Sequence, residues 1–205
     1  MRVQWRALWS MLVGVMILWS AVDARAAAET ESPTQLVQRL VAAIKSIKVS
    51  NNNTLSPTDQ AANAEATKTA HALLDIPGVS QRTLGRHWQE RTPAEREEFV
   101  KLLTQLFAKI AYPKSAEFFS GLEMTVKSER IKDSRAVVMT TIRHPKEGLV
   151  SIDYQLVRSD SRWRIQDILL DDVSLALNLQ SQFNKVIVEN SYAELLRRMR
   201  EKLTE

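Results

Sequence analysis

The hydrophobic period of this chain changes once, near residue 121, and that change limits the fold more than any single motif does. Before it, apolar residues recur at helical spacing. Ser32-Pro33-Thr34-Gln35 is a capping box with proline at the first helical position, and Leu36, Val37, Leu40, Val41, Ile44 and Ile47 then share one face. Asparagines at 51–53 break that helix. Ser56-Pro57-Thr58-Asp59 opens an alanine-rich second helix to about Leu74, which Pro77-Gly78 ends, and a short helix carries Leu84 to Trp88. Thr92-Pro93-Ala94-Glu95 is another capping box, followed by Phe99, Leu102, Leu103, Leu106, Phe107 and Ile110 in the rhythm of a core-facing helix. Pro113 is expected to stop that helix, with a short helical turn over 114–119.

After Leu122 the period is two. Leu122, Met124 and Val126 alternate with polar residues, as do Ala136, Val138, Thr140 and Ile142, then Val150, Ile152, Tyr154 and Leu156. A fourth run covers 162–170, and turns are expected at 132–134, 144–148 and 159–161. Four runs with short turns predict an antiparallel meander. Val137 and Met139 oppose Val138, and Leu149 and Val157 oppose Ile152, so the second face also carries apolar residues that helix or ligand would have to cover. Residues 173–188 and 191–203 return to helical spacing. The predicted fold is therefore α+β: N-terminal helices, a four-stranded curved antiparallel sheet and C-terminal helices, in a single domain over 27–205.

The chain begins with Arg2 and Arg6, an apolar stretch from Ala7 to Val22, and Ala24-Arg25-Ala26. This reads as a secretory signal peptide over 1–26, cleaved near Ala26 on the general secretory route. An uncleaved anchor is the alternative, although the stretch is shorter than the roughly 20 residues of a full span. Removing Arg2, Arg6 and Arg25 from 28 basic residues, and Asp23 from 24 acidic ones, leaves the mature chain nearly neutral. Neither that charge nor export suits a nucleic-acid partner.

Composition excludes several kinds of chemistry. With no cysteine in 205 residues there is no disulfide, thiolate metal site or cysteine nucleophile, and five scattered glycines build no phosphate-binding loop. His71, His87 and His144 have no metal-pair spacing and read as surface or half-buried histidines. Asp171-Asp172 ahead of Ser174 reads as a turn and a helix cap, and Ser174 has neither a base nor a glycine elbow to make it a nucleophile. No catalytic residue, metal or cofactor is expected.

Two segments carry a family likeness. Trp163-Arg164-Ile165-Gln166-Asp167-Ile168, then Val173-Ser174-Leu175, Asn178 and Gln182-Phe183, resembles the end of the sheet and start of the next helix in the MlaC (toluene-tolerance auxiliary) family. Leu84-Gly85-Arg86-His87-Trp88 with Thr92-Pro93-Ala94-Glu95 and Phe99 is similar to an earlier segment of the same family. Asp172 replaces the usual glycine, and Leu179-Gln180 the usual Tyr-Arg, departures that leave open a branch handling hopanoid-type lipids.

The resemblance implies a fold like the NTF2 cone and a periplasmic carrier that binds phospholipid acyl chains in an apolar cavity. It also implies partners: an outer-membrane lipoprotein complex and an inner-membrane ABC transporter complex. On that basis the cavity is expected to be lined by Leu84, Trp88, Leu103, Phe107, Ile110, Tyr112, Met124, Val138, Ile152, Tyr154 and Trp163, with Asp167 structural and paired to a base such as Arg86. Two other readings make distinct demands. An NTF2-like enzyme needs an isolated acid in the pocket, for which Asp153 is the candidate, and a ligand-free adaptor needs a filled core.

Overall fold

A computed structural model describes residues 31–50 and 55–205; the segment read as a signal peptide and the asparagines at 51–53 lie outside those residues. Three of the helix starts follow the caps written in the sequence. In α1 (Pro33–Ser46) the Ser32 hydroxyl accepts from the Gln35 N–H at 3.1 Å, while the Gln35 side chain accepts from the Ser32 N–H at 2.8 Å. Ser56 caps α2 (Pro57–Leu73) through the Asp59 N–H. Thr92 and Glu95 form the reciprocal pair ahead of α4 (Pro93–Leu106).

Two helical segments differ from the sequence expectation, both at a proline. Pro77-Gly78 does not merely end α2. It lies in the first turn of another helix, α3 (Ile76–Leu84), where Asp75 accepts from the Gly78 N–H at 3.2 Å. A 3-10 turn over Gly85–Trp88 follows. Pro113 does not stop the helix that begins at Pro93 either. The chain widens into a π-helical turn at Phe107–Ala111, in which the Tyr112 N–H donates to the Phe107 carbonyl, and α5 (Tyr112–Phe119) continues from there. Proline lacks an N–H and collides with the carbonyl four residues back, so a widened turn is a way of carrying the chain past it.

The sheet is a meander of β1 (Met124–Lys132), β2 (Arg135–His144), β3 (Gly148–Ser159), β4 (Arg162–Leu170) and β5 (Val173–Ser174), each antiparallel to the next. It has five strands rather than four. Residues 173–174, expected at the start of a helix, pair with Leu170 and Leu169 before α6 (Leu175–Glu189) begins. The turn between β4 and β5 puts Asp171 and Asp172 in the left-handed region, at φ 44° and 65°. Aspartate tolerates that region better than most side chains, so the turn survives without glycine. Asp171 also accepts from the Ser151 N–H at 2.8 Å, tying the turn to β3. Register shifts at Val126/Ser128 and Gln155/Leu156 mark bulges, which bend strands locally.

One sheet face is buried. Ala136, Val138 and Ile142 of β2, Val150, Ile152, Tyr154 and Leu156 of β3, and Trp163 and Ile165 of β4 form a core cluster with α1, α2 and α5. A second cluster joins α3 and α4 to α7 (Tyr192–Thr204) through Leu84, Phe99, Leu103, Leu195 and Met199. The opposite sheet face belongs to neither. Val137, Met139 and Val157 are half-buried there and Leu149 is 63% exposed, so the expected cover over that face is not formed by the described residues. Among those residues no helix is long and apolar enough to cross a membrane.

Candidate functional site: an apolar cavity between two cores

The seam between the two clusters is not closed. A cavity of about 450 Å³ opens there, within the roughly 300–1,000 Å³ range of ligand pockets. Leu40, Val41 and Ile44 of α1 form one wall, and Tyr112, Ser115 and Phe119 of α5 another, with Phe107 and Ala111 from the π-helical turn between α4 and α5. The sheet supplies Tyr154, Ile165, Gln166, Asp167 and Ile168. Leu74 and Val79 flank the α2–α3 junction, and Leu175, Ala176, Asn178, Leu179 and Gln182 come from α6. The α1 and strand residues of the wall are mostly buried, whereas Leu175, Asn178 and Gln182 are exposed, which puts the mouth along α6. A filled core, as a ligand-free adaptor would have, is not what these elements form.

Of the eleven residues named from sequence, Phe107, Tyr112 and Tyr154 line this cavity. Leu84 and Leu103 are buried in the helical cluster and Trp88 packs against it, beneath the Arg96 guanidinium. Val138, Ile152 and Trp163 are buried on the sheet side, with Met124 packed beside them, and Ile110 is half-buried in the π-helical turn outside the wall. Sequence reasoning missed the α1 and α6 contributions. The apolar residues of α6 are legible in the sequence, but only the fold shows that this helix buries Ala176 alone.

The mouth is held by one buried carboxylate. Asp167, 4% exposed, accepts from the Ser174 hydroxyl at 2.6 Å, the Ala176 N–H at 3.1 Å, its neighbour Ile168 N–H at 2.8 Å and the Arg82 guanidinium at 3.2 Å. The basic partner is Arg82, one helical turn from the exposed Arg86 expected in that role. Asp167 therefore joins β4 to α3 and to the start of α6. Gln180 adds a second tie, donating to the Arg82 carbonyl at 2.7 Å and lying over Gly85. Gly85 has φ +54°, and a β-carbon there would come within 2.5 Å of the Gln180 amide. The two departures from the family pattern after Asn178 thus have structural roles: Leu179 is cavity wall and Gln180 clamps α6 to α3.

The candidate acid is elsewhere. Asp153 pairs across the sheet with Met139 and Leu169, on the face opposite Tyr154, and takes no part in the cavity wall. Burial and then the nearby Asp172 charge raise its pKa above the ordinary 3.8. Folding thus favours protonated Asp153. Its contribution is fully present below about pH 4 and is lost as pH rises through the raised value. Asp153→Asn should therefore be more stable than the natural chain at neutral pH, with the difference vanishing toward about pH 4 in thermal melts. An advantage that persists unchanged at acid pH would contradict this.

The histidines serve the scaffold. His87, expected at or near the surface, is buried between Glu90 and Asn184, with ring nitrogens 3.2 and 3.0 Å from their side-chain oxygens, and so links the 3-10 turn to α6. His144 accepts from the Lys146 and Glu147 N–H groups in the β2–β3 turn and stacks on Phe118. His71 lies in α2, half-buried beside Tyr112.

A family profile described as MlaC protein matches residues 35–201. No curated protein gave a match. Among solved structures, this chain is similar to a phospholipid-binding protein from Ralstonia solanacearum, determined at 1.53 Å in complex with a phospholipid. The two share 20% identity over 83% of this chain and 94% of that one, with a TM-score of 0.66, which shows a common fold.

Proposed function

Because this chain belongs to the MlaC family, we propose that it is a periplasmic lipid carrier: its cavity takes the acyl chains of a phospholipid, and it moves that lipid between an outer-membrane lipoprotein complex and an inner-membrane ABC transporter complex. The observation that carries this reading is the apolar cavity at the seam of the two cores, opening along α6. Leaving an acyl chain in water costs about 0.8 kcal/mol per CH₂, or roughly 10 kcal/mol for twelve of them. An apolar cavity removes that cost. Since the bilayer removes it equally well, the lipid passes between the two at little net free energy, and loading stays reversible.

A carrier of this kind makes and breaks no bonds, so it needs shape and apolar surface rather than a catalytic group. The headgroup remains at the mouth near Asn178 and Gln182, in water. Leu175, 44% exposed at the same rim, belongs to the surface that meets the membrane complexes. The reading is tested by mixing delipidated protein with phosphatidylethanolamine–phosphatidylglycerol vesicles that carry a labelled phospholipid. Protein-dependent movement of label to unlabelled vesicles is the expected result, and folded protein that moves none contradicts the proposal.

A further inference from the structure

The outer face of the sheet, turned away from the cavity, gathers cations at one end. Register places Lys132 beside Arg135, Arg135 beside Val157 and Val157 beside Arg164, a single row across the four long strands. Arg130 and Arg162 stand on the same face, one row to either side, opposite Val137 and Ser159 respectively. Arg130, Lys132, Arg135 and Arg162 are exposed, and Arg164 is half-buried. Like charges directly opposite on neighbouring strands are destabilising, so the Lys132–Arg135 pair works against the sheet. Among the described residues none of these five forms an ion pair with a carboxylate, whereas Arg82, Arg197 and Arg200, which do, lie on helices. The nearby acids do not neutralise the row. Glu129 pairs with Val138 on the buried face and accepts from the Thr34 N–H at 2.8 Å. Asp153 lies further along β3, and Asp133 and Asp160 sit in the turns and form no ion pair. The same face leads to the cavity. Gln155, opposite Val137, lines a groove with Arg82, Leu169 and Leu177, and that groove shares Asn178 and Gln182 with the cavity rim.

We propose that this cationic face docks the protein on an anionic phospholipid bilayer, beside the groove that leads to the cavity mouth. The proposal goes beyond the carrier reading, which needs only the cavity and has protein complexes as its partners. A bilayer suits the row better than an acidic protein does. Protein interfaces are centred on apolar and aromatic anchors, with charge depleted at the centre. This face has no aromatic residue and runs its cations from β1 to β4. Long side chains held by no carboxylate are free to follow mobile phosphates, each adding up to about fivefold to binding at an anionic surface.

The test is flotation of the purified protein with phosphatidylcholine vesicles, plain or mixed with phosphatidylglycerol. The native chain should bind the mixed vesicles about a hundredfold more tightly than the plain ones. Salt at 1 M, where the Debye length is about 3 Å, should abolish the difference. The triple variant Lys132→Gln, Arg135→Gln, Arg162→Gln should bind the two vesicle types to within about tenfold of each other. It should melt no lower than the native chain, since it removes a like-charge pair, and should still move labelled lipid between plain vesicles. A control triple of equal charge on the helices, Arg39→Gln, Lys68→Gln, Lys185→Gln, should keep the native preference. A native chain that binds both vesicle types alike overturns the proposal and leaves the row to an acidic protein surface. Equal losses in the two triples overturn it as well, because net charge alone would then account for binding. Either result leaves the carrier reading standing where lipid still moves between plain vesicles, and a folded native chain that moves none overturns that reading separately.

Discussion

Asp167→Ala should cost about 3–4 kcal/mol of folding stability, which in a chain of this size lowers the melting temperature by roughly 10 °C. The carboxylate is buried and receives four hydrogen bonds, from Arg82, Ile168, Ser174 and Ala176. Hydrogen bonds to a charged group contribute about 1.5–3 kcal/mol each, but they do not add in full here. The Arg82 side chain is a third exposed and recovers water once its partner is gone, whereas the Ala176 N–H is buried and does not. Asp167→Asn keeps the shape and one acceptor oxygen, so its loss should be about half as large. Urea unfolding measures both. Hydrogen exchange at the start of α6 should quicken in the alanine variant before that of α4, since Asp167 ties α6 to β4. Equal stability of Asp167→Ala and the natural chain would show that the mouth is held by other means.

How far the sequence discloses this molecule depends on whether the relevant interaction is local. The capping boxes at Ser32 and Thr92 are local, and the helices start where they predict. The strand turns are local too: Asp133, Asp160 and Ser161 adopt left-handed backbone within the expected breaks. Prolines 77 and 113 misled the reading because a proline is compatible with a first turn or a widened turn as well as with a stop. Only the tertiary arrangement selects between them. The fifth strand was hidden for a similar reason: two residues have no period, and Val173 and Ser174 become a strand by pairing with β4.

The cavity was the least legible part. An apolar side chain at helical or strand spacing is buried either against protein or against a void, and the pattern is the same in both cases. Leu84, Leu103 and Val138 fill cores, while Phe107, at the end of the same α4 stripe as Leu103, borders open space. What separates them is the π-helical turn, which shifts the helix face as it passes from α4 to α5. Strand alternation puts Asp153 and Tyr154 on opposite faces of β3, but it could not say which face would hold the cavity.

Ala111→Trp should prevent lipid binding while preserving the fold. Ala111 is a half-buried wall residue of the π-helical turn, and an indole there occupies space that acyl carbons would otherwise fill. Excluding about four CH₂ groups removes roughly 3 kcal/mol of binding, a loss of about a hundredfold. Leu177→Trp is the matched control, because Leu177 is exposed and outside the cavity wall. The measurement is native mass spectrometry of the natural chain and both variants, expressed into a periplasm, purified without detergent, and run before and after solvent extraction. The account predicts phospholipid in stoichiometric amount on the natural chain and on Leu177→Trp, removed by extraction, and none on Ala111→Trp. A natural chain that carries no lipid, or an Ala111→Trp variant that carries as much, would contradict it.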